Sequence, residues 1–284
     1  MDRQPAYPRR AEHRSATSLR RILIDVKDRR DDPWTELRIR LLADVLRRAL
    51  KDLSGQRAVV LTNGSSRGRG AAYASHLQIR EPDGRSPPAG DSDGSSDPRN
   101  DIGLAAPEGS SLLSPGQLIT VAGGSGSAIL DAPFGDDVDA VAVRLALLRF
   151  APATPADLTR ARLHRAEQTL RRWRFKLAGW AEMPPASSGE FDAIGRSLLG
   201  VLDTPAVLTV LHRLEIDHAV PSGTKYVTFA RADHILGLDL LRIVHGKYCH
   251  GKTSDARIGP GQQTSSGVGV GSPGSAAGRW KGER

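Results

Sequence analysis

The sequence predicts an α/β fold, a parallel sheet followed by a small α-helical bundle, on three observations. Short β-branched runs alternate with amphipathic segments between residues 20 and 80, as in a parallel sheet with crossover helices. Beyond residue 151 the apolar spacing is helical throughout, as in a bundle. Gly, Pro and Ser gather in two stretches, 81–116 and the C-terminal tail, which takes them out of the expected core.

In order, residues 1–19 are basic, with Pro5 and Pro8 against a helix, and are expected to form a disordered arm. Ile22 to Val26 reads as a strand. Asp32 is placed to cap a helix with Pro33 at its first position, and Leu37, Leu41, Leu42, Val45, Leu46 and Ala49 repeat at helical spacing up to Ser54-Gly55. Ala58 to Thr62 is a second strand, closed by Asn63-Gly64, and Ala71 to Ile79 a second helix. From about 81 to 116 the periodicity vanishes, predicting a disordered insertion within a 20–150 domain. Gln117 to Val121 resumes as a strand, with a helix from about Val138 to Phe150. The bundle, residues 151–242, opens at Thr154-Pro155-Ala156-Asp157, a hydroxyl cap with a first-turn proline. Helices follow at about 191–201, at 204–214 behind Asp203-Thr204-Pro205, and at 225–236. Residues 243–284 are expected to be a disordered tail.

The chain has 284 residues and a formal charge of +8, with 33 of its 40 basic residues arginine. That charge permits nucleic-acid binding without demonstrating it. No apolar run approaches the roughly 18 residues of a membrane helix, and no secretory signal is visible. The single cysteine, Cys249, excludes an intramolecular disulfide framework and a cysteine-rich zinc cluster. A cytoplasmic setting without membrane contact is the expectation.

Five segments resemble a known family. They are Leu41 to Leu50 with the strand ending at Thr62-Asn63; Asp139 to Leu148 around Arg144; Thr154 to Trp173; Leu202 to Leu208; and Ala232 to Leu240. In order and spacing they resemble class I cysteinyl-tRNA synthetases, and equally the related ligase of the mycothiol pathway that joins cysteine to an inositol-linked amino sugar. The resemblance implies a Rossmann-like, truncated synthetase fold, ATP as cofactor and tRNA or other RNA as partner.

The departures from that family are as informative. Its "H-I-G-H" signature, which holds ATP phosphates at a helix N-terminus, would fall at Pro33-Trp34-Thr35-Glu36. Its lysine-bearing "K-M-S-K-S" signature would fall near Thr120 to Gly124, which has no lysine, and its first zinc thiolate near Ile24. No catalytic residue and no zinc is therefore assigned, and a degenerate, non-catalytic paralogue is expected. The alternatives are an active ATP-dependent cysteine ligase with a rewired site, and an interaction or regulatory module that uses the scaffold to bind a protein partner.

Two groups of binding residues stand out. Gly123, Gly124, Ser125 and Gly126 follow a strand where the second signature would lie, and could offer backbone amides to a nucleotide. Gly64, with Gly68 and Gly70, follows the second strand; its spacing fits neither a P-loop nor a dinucleotide fingerprint, so a flexible turn is the plainer reading. Arg160, Arg165, Arg171 and Arg172 lie on the long helix, where they could track RNA phosphates or simply form a solvated face. Trp173 and Trp180 belong to its apolar stripe and read as core. His245, Cys249 and His250 have donor spacing but no fourth ligand, and His212, His218 and His234 form no catalytic arrangement.

Overall fold

A computed structural model describes residues 19–26, 33–63, 69–86, 101–107, 116–125, 139–184 and 190–242. Five strands, β1 (Arg20–Asp25), β2 (Ala58–Thr62), β3 (Gly84–Arg85), β4 (Ile102–Ala105) and β5 (Gln117–Thr120), form one sheet in the order β3-β2-β1-β4-β5. Every neighbouring pair is parallel. This is a Rossmann-like arrangement, with strand order reversing between β1 and β4, the place where α/β sheets receive ligands beyond the strands' carboxyl ends.

Strand β1 holds the centre because Ile22 and Ile24 point to the same face, where both are fully enclosed. Their register pairs Ile22 with Val60 and Ile102, and Ile24 with Thr62 and Leu104. Helix α1 (Pro33–Ser54) covers the sheet with Leu37, Leu41, Val45 and Ala49 in its buried stripe. Helix α2 (Arg69–His76) packs beside it.

Two expectations require correction. The stretch 81–116 contains β3 and β4, the latter buried at all four positions; residues 87–100 and 108–115 lie outside the described residues. A strand enclosed on both faces needs no apolar–polar alternation, so Ile102-Gly103-Leu104-Ala105 gave no periodic signal. The long helix begins five residues later than its sequence suggested. Ala156–Asp157 forms β7 and pairs in parallel with β6 (Gly124–Ser125), so the cap is Thr159, whose hydroxyl accepts from the Arg162 amide at 3.3 Å.

Helices α3 (Ala140–Leu147), α4 (Arg160–Trp180), α5 (Glu190–Val201), α6 (Thr204–Ile216) and α7 (Ser222–Leu236) complete the chain. The cap foreseen at Asp203 is present, its carboxylate accepting from the Ala206 amide at 3.0 Å. One apolar cluster runs from Ile22 through α1 and α4 to Leu240. Trp173 lies within it, edge-on to Phe229 at 5.3 Å between ring centres. Trp180 is half-buried against the same ring. The expected basic arm over 1–18 and the tail over 243–284 lie outside the described residues.

Arg144 ties the two halves together. Its guanidinium donates to Asp44 Oδ2 on α1 at 2.7 Å, to the Leu236 carbonyl at 2.6 Å and to the Leu77 carbonyl at 3.2 Å. Burial alone would raise the Asp44 carboxyl, but Arg144 and Arg48 bring it below the ordinary range. Gly237 ends α7 with φ at 64°, and a Cβ there would stand 2.9 Å from the Arg144 guanidinium carbon. Glycine is thus required both by the left-handed turn and by the arginine beneath it.

Candidate functional site

The first candidate is the carboxyl edge of the sheet at the β1/β4 reversal. The free amides of a first helical turn normally favour an anion there. In α1 that turn is filled by protein: Pro33 has no N–H, and Pro33, Trp34, Thr35 and Glu36 are all buried. Trp34 lies under the β5–β6 connection, where a Cβ on Gly124 would stand 3.2 Å from the Trp34 Cβ. Glu36 brings its own negative charge to the helix start and is held by Arg40 Nε at 2.9 Å. α2 closes over it, because a Cβ on Gly70 would stand 2.6 Å from Glu36 Oε2.

The same edge binds its own backbone. Arg38, 2% exposed, donates to the carbonyls of Ala122, Gly123 (3.1 Å), Thr154 (2.9 Å) and Ala151 (3.0 Å). The Gly123 carbonyl also accepts from the Ala156 amide at 3.0 Å. Gly123 is therefore engaged through its carbonyl, while Gly124 and Ser125 lie in β6; Gly126 and Gly64 lie outside the described residues.

At the end of β1, Asn63 bridges to Asp25, donating to Oδ1 at 2.7 Å while its own Oδ1 accepts from the Val26 amide at 3.0 Å. Asp25 Oδ2 and Trp34 Nε1 are enclosed without a hydrogen-bond partner. This donor set does not suit a thiolate zinc site: Ile24 stands at the first ligand position, and the described residues contain no group of three or more His, Cys, Asp or Glu able to hold a metal. Nor does the α1 turn suit a triphosphate, with a carboxylate and an indole where the phosphates would lie.

The second candidate is the face of α4. A cavity of about 490 Å³ opens between the end of α3, α4 and the start of α6, with Arg149, Arg165, Thr169, Arg172 and Thr209 in its wall. A larger cavity of about 950 Å³ on the adjoining face has Arg171, Lys176, Arg242 and Phe175 in its wall together with the carboxylates of Asp139 and Glu167. Phe175 is 80% exposed, an unusual setting for a phenyl ring. The four arginines singled out from sequence thus divide: Arg165 and Arg172 share the smaller cavity, Arg171 faces the larger, and Arg160 lies exposed at the helix start, in the wall of neither.

Arg172 is anchored by Glu215, Nε to Oε1 at 2.6 Å and Nη2 to Oε2 at 3.2 Å. The buried Glu215 also accepts from Trp173 Nε1 at 2.9 Å and meets Lys176 Nζ at 3.0 Å. Burial would raise its carboxyl, but the bonds from Arg172, Lys176 and Trp173 prevail and hold it at about 2. Sequence reasoning missed Arg149, Phe175 and Arg242. Arg149 and Arg242 follow helix ends far away in sequence, and only Phe175, one residue from the stripe, could have been picked out as an apolar side chain facing outward.

No family model matches the chain. A cysteine–tRNA ligase from Chelativorans sp. (strain BNC1) is 34% identical over 116 residues, which is 41% of this chain and 22% of that protein. The chain thus aligns with less than a quarter of its relative's length, and the similarity supports a distant relationship to class I synthetases.

Proposed function

We propose that this chain is a synthetase-like protein that forms no aminoacyl adenylate and binds RNA through the arginine face of α4. The observation that supports the first half is the filled turn of α1, where Trp34 and Glu36 stand in place of a phosphate site. A single charge-stabilising donor typically contributes about 2.7–4 kcal/mol to a transition state. Both signatures are replaced here, so the adenylation barrier returns close to that of the uncatalysed reaction. The test is cysteine-dependent exchange of labelled pyrophosphate into ATP. Exchange at background level is expected, and a cysteine-dependent signal above it would overturn the reading.

The second half rests on the exposed arginines of α4, Arg165, Arg171 and Arg172, with Phe175 exposed in the same cavity wall as Arg171. Cations beside an exposed ring suit single-stranded RNA, the cations following the backbone and the ring stacking on a base. Binding of a short oligouridylate by fluorescence anisotropy, measured across a salt series, is the direct assay.

A further inference from the structure

Three guanidinium groups meet in the smaller cavity with little negative charge to balance them. Arg165 and Arg172 lie seven residues apart on α4, two turns along one face, and Thr169 lies between them. Arg149 reaches the same place from the residue beyond the α3 cap, donating to Thr169 Oγ1 at 3.1 Å. Thr169 Oγ1 in turn donates to the Arg165 carbonyl at 2.8 Å, which fixes the hydroxyl and aims the Arg149 fork.

Among the described residues the cavity wall contains no carboxylate. The nearest acid in contact, Glu215, is already shared by Arg172, Lys176 and His212. Burial and then the charges of Arg172 and Arg165 hold the Arg149 guanidinium below the ordinary arginine range, as expected where like charges are crowded together. It stays protonated at neutral pH. A bound dianion would relieve that crowding.

We propose that Arg149, Arg165 and Arg172 form a seat for a phosphate group, with Thr169 holding the Arg149 guanidinium in place. The planar guanidinium forks of Arg149 and Arg165 match phosphate oxygens two at a time, Arg172, whose Nε and Nη2 hold Glu215, adds its remaining donor and its charge, and about 490 Å³ suits a small phosphate ester. The seat deepens the RNA-binding reading of α4 and rests on it for the choice of phosphate over other anions. Its source is either the backbone of a bound strand or a terminal or free phosphate.

The test is calorimetric titration of the full chain with inorganic phosphate at constant ionic strength, up to about 10 mM, a range in which a site of a few charge-assisted bonds saturates. Arg149→Gln and Arg165→Gln are each expected to weaken binding roughly tenfold or more. Arg85→Gln, on the edge strand β3 and in the wall of neither cavity, is expected to leave it unchanged. All three substitutions fall at exposed positions, and circular dichroism checks that the fold is retained.

No saturable binding, or equal binding by all three variants, overturns the seat. Competition then identifies the source: displacement of phosphate by 5′-hydroxyl oligouridylate points to backbone phosphates, and displacement only by the 5′-phosphorylated strand or by a nucleoside monophosphate points to a monoester. Pyrophosphate exchange above background would remove the non-catalytic reading and leave the seat standing. Phosphate binding without any oligouridylate binding would remove the RNA reading alone.

Discussion

The start of α1 and the face of α4 use the same side chain in opposite ways. Around α1, arginine is a structural cross-link: Arg38 and Arg144 are each at most 2% exposed, their donors spent on carbonyls and on Asp44. Along α4, Arg165 and Arg171 stand exposed in cavity walls. A buried guanidinium is tolerated only when its donors are satisfied; an exposed one is hydrated and available to a ligand. The contrast teaches that the described arginines include two populations, and only the second bears on the proposed binding.

The largest effect that separates them is expected at Arg144. Arg144→Met leaves Asp44 buried with Arg47 and Arg48 alone and strips two carbonyls of their donor. Breaking a buried pair in this way costs about 3–5 kcal/mol, read as a drop in the urea midpoint. Adding Asp44→Leu to that variant is expected to recover a substantial part, since an apolar replacement of both partners is far less costly than the loss of one. No recovery would mean that the cost lies in the carbonyls of Leu77 and Leu236 or in the buried Arg47, which Asp44 also holds.

Glu215 comes next, because it joins the open face to the core. Its carboxyl is depressed from 4.5 to about 2 when folded. The stabilisation is therefore fully present above about pH 4.5 and lost as the pH falls from there through about 2. Glu215→Gln is expected to cost about 2–3 kcal/mol at neutral pH and to flatten the acid limb of the stability curve. An acid limb of unchanged steepness in the variant would assign it to other carboxylates.

Gly70→Ala tests the closed edge from the other side. The new methyl would stand 2.6 Å from Glu36 Oε2 and 2.7 Å from Glu36 Cβ, and the second of these cannot swing away. Overpacking of this kind costs about 1–3 kcal/mol, measured by thermal unfolding. A neutral result would mean that the α1–α2 contact is looser than the geometry describes.

Those clashes also show where the sequence ceased to be readable. The strands β1 and β2, the helix α1 and the Asp203 cap of α6 were legible because each signal is local: a branched run, a 3.6-residue stripe, a carboxylate before Thr-Pro. The four-residue β4 was not, since Gly103 and Ala105 in a fully enclosed strand carry no period. Thr154-Pro155 looked like a helix start, and only pairing of Ala156–Asp157 with a distant segment displaced it. For the candidate sites, the residues at Pro33 to Glu36 and Thr120 to Gly124 were visible by position, whereas the Arg38 bonds to the carbonyls of Ala122 and Gly123 were not. The α4 arginines were visible as a list. Their division between two cavities, and the arrival of Arg149 from α3, are products of tertiary packing.

The smallest effect on stability is expected on the face where the effect on binding is largest. Arg171 has no carboxylate partner among the described ion pairs, and glutamine has nearly the helix propensity of arginine. Arg171→Gln is therefore expected to shift the unfolding free energy by less than about 0.5 kcal/mol. If the face tracks a strand, the same change removes a phosphate contact and reduces the slope of log affinity against log salt by about 0.7. Arg38→Gln provides the reverse case, because it takes a donor from four backbone carbonyls and lies away from both α4 cavities. It should destabilise the fold while leaving the salt slope intact in the fraction that remains folded. A slope that responds to Arg38 as strongly as to Arg171 would show that binding follows total charge, and the distinction between the two populations of arginine would lose its functional meaning.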